Sequence, residues 1–153
     1  MQAIKANAAR VRWMIRGDAY GVSRISVESC QYRALSSREI VLALKQRQTI
    51  GTIIELNDVI LGYLIMDMTT SDYCEMVSFA VDALQRGEGY GTLLIAHAEK
   101  VARNLGFVKI SGTVPERSLE SQLFLAANGF KCLGLLRGFF GVDDGYFFEK
   151  VIA

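Results

Sequence analysis

Gln85-Arg86-Gly87-Glu88-Gly89-Tyr90-Gly91-Thr92 stands between an apolar, strand-like segment, Met76-Val77-Ser78-Phe79-Ala80-Val81, and a helix-like segment, Leu93 to Leu105. Three glycines at alternate positions remove side chains where a loop becomes a helix. Backbone N–H groups and the positive end of the helix dipole can then surround an anion. Arg86 adds a planar, permanently charged donor at the mouth of the turn. Strand, glycine turn and helix together predict an anion cradle, and a pyrophosphate is its expected guest.

The spacing chooses between kinds of glycine turn. A dinucleotide fingerprint needs Gly-x-Gly-x-x-Gly. Counted from Gly87 its last position is Thr92, and counted from Gly89 it is Leu94, so both fail. A P-loop ends in Gly-Lys-Ser/Thr, but here Gly91 is followed directly by Thr92. What remains is Arg86-Gly87-Glu88-Gly89-Tyr90-Gly91, an Arg-x-x-Gly-x-Gly pattern.

That pattern resembles the acetyl-CoA pyrophosphate loop of the GCN5-related N-acetyltransferases. The resemblance continues along the chain in order. Val11 to Arg16 with Gly17-Asp18-Ala19 looks like the family's first strand and helix entry. Ile60 to Ile65 looks like the strand with a Gly-Tyr centre, here Gly62-Tyr63. Phe79 to Asp82 looks like the strand end beside the cofactor, and Ser118 to Phe130 like the later helix ending in Asn-Gly-Phe. Leu136 to Phe140 with Asp143 to Tyr146 looks like the final hairpin of the ribosomal-protein-alanine type.

The resemblance implies an α/β fold: a mixed, mostly antiparallel sheet of about six to seven strands with about four helices. It also implies acetyl-CoA as co-substrate and a primary amine as acceptor, attacked directly in a ternary complex. Arg86, Gly87, Gly89, Gly91 and Thr92 are the expected pyrophosphate holders, and Phe79 and Val81 are expected to offer backbone groups to the pantetheine arm. The rival reading is a non-catalytic acyl-CoA-binding or regulatory module on the same fold.

Composition agrees with one globular domain over residues 1–153. Hydrophobic residues make up 51% of the chain, enough for a packed core. Lys+Arg 17 against Asp+Glu 16 leaves a formal charge of +1, with no basic run, so no nucleic-acid partner is expected. Cys30, Cys74 and Cys132 are odd in number and widely spaced, which fits a reducing, cytoplasmic setting. No Cys/His cluster has metal spacing. Met1 to Arg12 carries Lys5, Arg10 and Arg12 but no apolar stretch follows, so no signal peptide is expected. No membrane contact is expected either, and the chain is read as a monomer or homodimer.

Patterns place the elements. Asp18 reads as the cap of a helix running to about Tyr32, and Ser36-Ser37-Arg38-Glu39 as a capping box opening a helix through Lys45. Thr49 to Leu56 and Val59 to Met68 read as a hairpin about Asn57-Asp58, and Tyr73 to Val81 as the next strand. Leu94, Ala98, Val101 and Leu105 give the following helix a core face, and Gly106 ends it. Phe107 to Thr113 reads as a strand, Leu119 to Ala127 as a helix, and Phe130 to Leu136 and Tyr146 to Ile152 as the last strands.

Acetyl transfer from a thioester to an amine needs a neutral amine and a donor for the oxyanion. Glu75 is the candidate base. It lies six residues before Val81, the spacing at which histone-type relatives carry a glutamate. A carboxylate in mid-sheet is partly desolvated, which raises its pKa. Its other reading is a strand residue paired to a cation.

The ribosomal-protein-alanine type instead carries a glutamate on the next strand, where this chain has Thr113, and a helix tyrosine, where it has Leu125. Its helix-entry asparagine is Ser118 here. Tyr146 is a candidate substrate contact on the last hairpin, with packing as the alternative. His97, the single histidine, reads as a surface or boundary residue.

Overall fold

The computed structural model describes residues 8–30, 32–68 and 72–153. Lys5 and the residues before it lie outside that set, as does Gln31, through which the first helix was expected to run. Among the described residues seven strands form one sheet: β1 (Arg10–Trp13), β2 (Thr49–Leu56), β3 (Val59–Asp67), β4 (Tyr73–Val81), β5 (Lys109–Pro115), β6 (Lys131–Phe140) and β7 (Asp143–Val151). Their order is β1-β2-β3-β4-β5-β7-β6. Among the described residues only the β4–β5 pair is parallel; the other five pairings are antiparallel. The helices are α1 (Ala19–Ser29), α2 (Ser37–Leu44), α3 (Tyr90–Asn104) and α4 (Leu119–Ala127).

The sheet has two covered faces. Under α3 and α4 lie Leu64, Met66, Met76, Leu94, Ala98, Ile110, Leu125 and Phe148. Under α1 and α2 lie Val22, Ile25, Ile40, Ile53, Tyr63, Ile65 and Ala80. Neighbours along β3 alternate between these clusters, as the period of two requires. Asn57 and Asp58 both take positive φ, the geometry of a tight two-residue hairpin turn.

Ser36 forms the expected capping box: its Oγ accepts from the Glu39 N–H at 3.1 Å, and Glu39 accepts from the Ser36 N–H at 3.3 Å. Asp18 does not act as expected. A single 3-10 turn, Arg16–Asp18, precedes α1, and no side chain caps it. The Asp18 carboxylate turns back to accept from the Ile15 N–H at 2.8 Å and from both Arg12 Nη atoms at 2.9 Å. A charged donor outcompetes the helix amides for a buried carboxylate. The first strand ends at Trp13 rather than Arg16, and α1 ends at Ser29 rather than near Tyr32, with Cys30 taking extended backbone.

Other ends move as well. α3 begins at Tyr90, inside the glycine turn. β5 runs Lys109–Pro115 instead of Phe107 to Thr113. The last hairpin is longer than expected because Phe140 pairs with Asp143 across a tight turn at Gly141 (φ 82°), while two irregularities absorb the mismatch. Among the described residues no helix is long and apolar enough to cross a membrane.

Arg12 also reaches Glu55 at 3.2 Å, so the outer strands are pinned by Asp18, Arg12 and Glu55, with Arg10 at the solvent end. Burial works against the charge on Asp18, but the hydrogen bonds from Arg12 and Ile15 outweigh it and hold the carboxyl below its ordinary range. Hydrogen bonds from Arg12 and Arg10 lower Glu55 in the same way. Carboxyls lowered by folding contribute stability above their unfolded pKa values, and that stability is lost as pH falls below about 4. The Asp18→Asn, Glu55→Gln variant should be less stable at pH 7 by on the order of 1–3 kcal/mol. Urea melts at pH 7 and pH 3.5 check this: the deficit should shrink at the acid pH, and an equal deficit at both would rule out the ion network as its source.

Candidate active site

The cleft originates in a strand that loses a neighbour. β4 pairs with β5 only over Tyr73–Met76 and Lys109–Gly112. Past Met76, β4 continues along β3 to Val81, whereas β5 continues along β7 to Pro115. The two parallel strands part, and a cavity of about 740 Å³ fills the gap. That volume lies within the usual range for small-molecule sites.

A bulge sits where the strands part. Ile65 faces Ser78 and Met66 faces Met76, leaving Val77 without an opposite residue. An extra residue bends a strand and increases its twist. It also exchanges faces. Phe79 and Val81 pack toward α3 and α4, and below the bulge so do Cys74 and Met76. Glu75, opposite Asp67, therefore shares the other face with Ser78 and Ala80. On an uninterrupted strand, Glu75 and Val81, six apart, would have pointed the same way.

The backbone beyond the bulge is directed into the gap. The Asp82 N–H donates to the Leu61 carbonyl at 2.8 Å, which makes that pair a hydrogen-bonded one. Alternation then makes Tyr63–Ala80 hydrogen-bonded, and Gly62–Val81 and Leu64–Phe79 not. The N–H and C=O groups of Phe79 and Val81 thus point away from β3, toward the space β5 has left. The Arg86 Nε accordingly donates to the Val81 carbonyl at 3.1 Å.

Arg86 crosses the mouth of the cleft. Its Nη2 donates to Ser29 Oγ at 3.2 Å, and its Nη1 lies 3.7 Å from Glu120. Gly87 and Gly89 take φ of 81° and 91°, a region costly for side-chain-bearing residues. A Cβ at Gly87 would meet nothing within 4 Å, so the turn is open there. Gly91 has a packing reason: a Cβ would stand 3.0 Å from Phe124 Cζ and 3.4 Å from Phe79 Cζ. Those rings stack with centroids 5.3 Å apart, against the first turn of α3. The first intrahelical bond is Leu93 N–H to Gly89 carbonyl at 3.2 Å, so the N–H groups of Tyr90, Gly91 and Thr92 have no helical acceptor. Free amides, the helix dipole and Arg86 together suit a pyrophosphate.

Glu75 lines the other end of the same cleft, between Asp67 on β3 and Ser111 on β5. Burial and the Asp67 charge raise its pKa, against an opposing pull from Arg33. The wall facing it comes from the last hairpin, which the sequence marked, and from Tyr32, Arg33 and Arg117, which it did not. Tyr32 donates a hydrogen bond to Asp143, which is fully buried, and the Arg117 Nε is ion-paired with it at 2.9 Å. Arg33 donates to the Phe139 carbonyl at 3.0 Å and holds its guanidinium 4.2 Å above the Phe139 ring. The loop between α1 and α2 is thereby tied to the β6–β7 hairpin across the Glu75 end of the cleft.

Glu75, Phe79, Val81, Arg86, Gly87 and Gly91 line one cavity, while Gly89, Thr92 and Tyr146 do not. Tyr146 sits on β7 between Val114 and Leu135, half-buried against the core, and the hairpin residues at the cleft are Phe139 and Phe140. Tyr90 is buried in the core. His97 is half-buried, edge-on to Trp13 at 5.5 Å, and burial lowers its pKa. Leu125 is 3% exposed, at once core and cleft wall. Burial pushes the Cys74 thiol up to about 11, which makes it a poor nucleophile. Among the described residues no group of His, Cys, Asp and Glu could hold a metal ion.

The model of the acetyltransferase (GNAT) family matches residues 18–130. The chain belongs to that family and is an N-acetyltransferase by class. Among curated proteins no sequence match is found. Solved structures share the fold at low identity. Ard1 from Thermoplasma volcanium is 16% identical, with a TM-score of 0.86 over 95% of this chain and 99% of that one. The ribosomal-protein-S18-alanine N-acetyltransferase from Escherichia coli is 13% identical, with a TM-score of 0.83 over 95% and 94%. YncA from Salmonella typhimurium, solved with its cofactor acetyl-CoA, is 19% identical, with a TM-score of 0.80 over 96% and 95%.

Gly87 offers the clearest test of the cradle, since its Cβ would enter open space. The Gly87→Val variant should lose at least about tenfold in acetyl-CoA affinity by calorimetry while staying folded, the left-handed backbone costing on the order of 1–2 kcal/mol. A folded variant with unchanged affinity would exclude the loop from phosphate binding.

Proposed function

We propose that this chain transfers the acetyl group of acetyl-CoA to a primary amine by direct attack within a ternary complex. The observation that carries this reading is that the amide-rich turn before α3 and the carboxylate of Glu75 open onto one cavity, at its opposite ends. Acetyl-CoA supplies a thioester: the amine nitrogen bonds to the acetyl carbon, the carbon–sulfur bond breaks, and the sulfur leaves with its electron pair.

In this reading Arg86 and the amides of Gly87 to Thr92 bind the diphosphate, and the backbone of Phe79 and Val81 orients the pantetheine arm. Glu75 takes the proton the ammonium must lose, directly or through one water. A raised pKa makes it a stronger base than an ordinary carboxylate. A lysine amine, with a reference pKa near 10.4, needs that help more than an α-amine near 7.7–8.0. Leu125 stands where the ribosomal-protein-alanine type carries a tyrosine and has no proton to give. Solvent then protonates the thiolate, an acceptable leaving group because a free thiol has a pKa near ~8.5. The acceptor is a protein N-terminus, a lysine or a small amine. Family membership favours this enzymatic reading over a non-catalytic binding module.

Glu75→Gln keeps the shape and removes the basicity. Its kcat should fall by about 10²-fold or more, with acetyl-CoA affinity nearly unchanged. In the wild type, kcat/KM should fall as pH drops through the raised Glu75 pKa, above the ordinary carboxylate value near 4.3, because the base must be ionised. The variant should lack that acid limb. Matching pH profiles at matching rates would remove Glu75 from the mechanism.

A further inference from the structure

Three guanidinium groups line the cleft: Arg33, Arg86 and Arg117. Two already face carboxylates, Arg86 beside Glu120 at 3.7 Å and Arg117 against Asp143 at 2.9 Å. Arg33 differs. Among the described residues no carboxylate oxygen comes within 4 Å of it. It is nevertheless held in place, by the Phe139 carbonyl at 3.0 Å and by rings at 4.2 Å and 5.4 Å. The Tyr32–Asp143 bond anchors the preceding residue. A planar cation fixed by its face and one N–H keeps the rest of its donor fork available.

The floor of the same end has the opposite sign. Glu75 lies beside Asp67 across the β3–β4 pair, with the cleft in front of it. Floor and wall thus present a negative pole and a positive pole across one space, a field that suits a zwitterion. A bare amine would answer only the floor.

Building on the acetyl-transfer reading above, we propose that the acceptor is a small amino acid, its ammonium directed to Glu75 and its carboxylate to Arg33. Arg33 is then the residue that determines specificity, because a guanidinium fork pairs with a carboxylate through two parallel hydrogen bonds and cannot do so with a carboxamide. The clasp between the α1–α2 loop and the β6–β7 hairpin supports this function by holding the fork at a set place.

The test compares free amino acids with their carboxamides as acceptors, the acetylated product being followed by mass spectrometry. The acids should be preferred by about ten- to a hundredfold in kcat/KM, the scale of a lost charge-assisted pair. Arg33→Gln should bring that ratio to near one by slowing the acids alone, and Arg33→Lys should restore part of it. If Arg33 only braces the loop, its variants will slow acids and amides alike and leave the ratio unchanged, which overturns the proposal. Equal use of acids and amides by the wild type also overturns it, and leaves acetyl transfer standing. Binding of acetyl-CoA by calorimetry without transfer to any amine, peptide or amino acid would overturn both.

Discussion

β4 is shared by two neighbours for only part of its length, and the cleft is built on that. At Glu75 and Met76 it is an interior strand with both edges paired. Beyond that point one edge is released while the other stays hydrogen-bonded to β3 as far as Val81. A strand with one free edge inside a protein is normally a liability, since its unpaired amides and carbonyls seek partners. Here they face a cavity, where an extended, amide-containing chain can satisfy them as a strand would. The parallel sense of the β4–β5 pair has the same consequence. Both strands point the same way, so their parting opens at one end, where α3 begins.

The bulge at Val77 gives this opening its chemistry. It lets β4 bend away from β5, and it moves Glu75 to the face opposite Phe79 and Val81. The groups read as cofactor contacts and the group read as a base therefore do not crowd one side of a strand. Phe79 joins Phe124 in a ring stack that fills the space Gly91 leaves open. Glu75 meets a wall of Arg33, Phe139 and Phe140, and burial, with the Asp67 charge beside it, raises its pKa. The residues proposed for binding and the residue proposed for proton transfer are separated by one inserted residue.

That wall comes from three distant places in the chain, joined at a buried carboxylate. Asp143 accepts a hydrogen bond from Tyr32 and is ion-paired with Arg117, with no exposure of its own. Removing a charge of this kind from water is costly unless it is paired. Its cost is offset only when the α1–α2 loop and the β5–α4 connection are both in place. One residue of the last hairpin thus couples the position of two loops, and Arg33 follows from its neighbour Tyr32.

Local chemistry made much of this legible in the chain. The glycine turn needed only its spacing, because positive φ and free amides at a helix start follow from residue type at adjacent positions. Thr49 to Leu56, Tyr73 to Val81 and Leu119 to Ala127 were readable to the residue, since alternation and helical period are short-range. Glu75 could be singled out by its distance from the strand end. The face it occupies could not, because a bulge is decided by how two strands register across the sheet. Asp18 looked like a helix cap until Arg12 competed for it. Arg33 carried no signal and Asp143 only that of a hairpin residue, for their meaning lies in Phe139, Tyr32 and Arg117, residues up to 111 positions apart in the chain. Sequence alone determined what can be read within one turn or one strand. Tertiary structure decided which charges meet, because attraction and desolvation depend on distance through space, and that distance exists only after the sheet has formed.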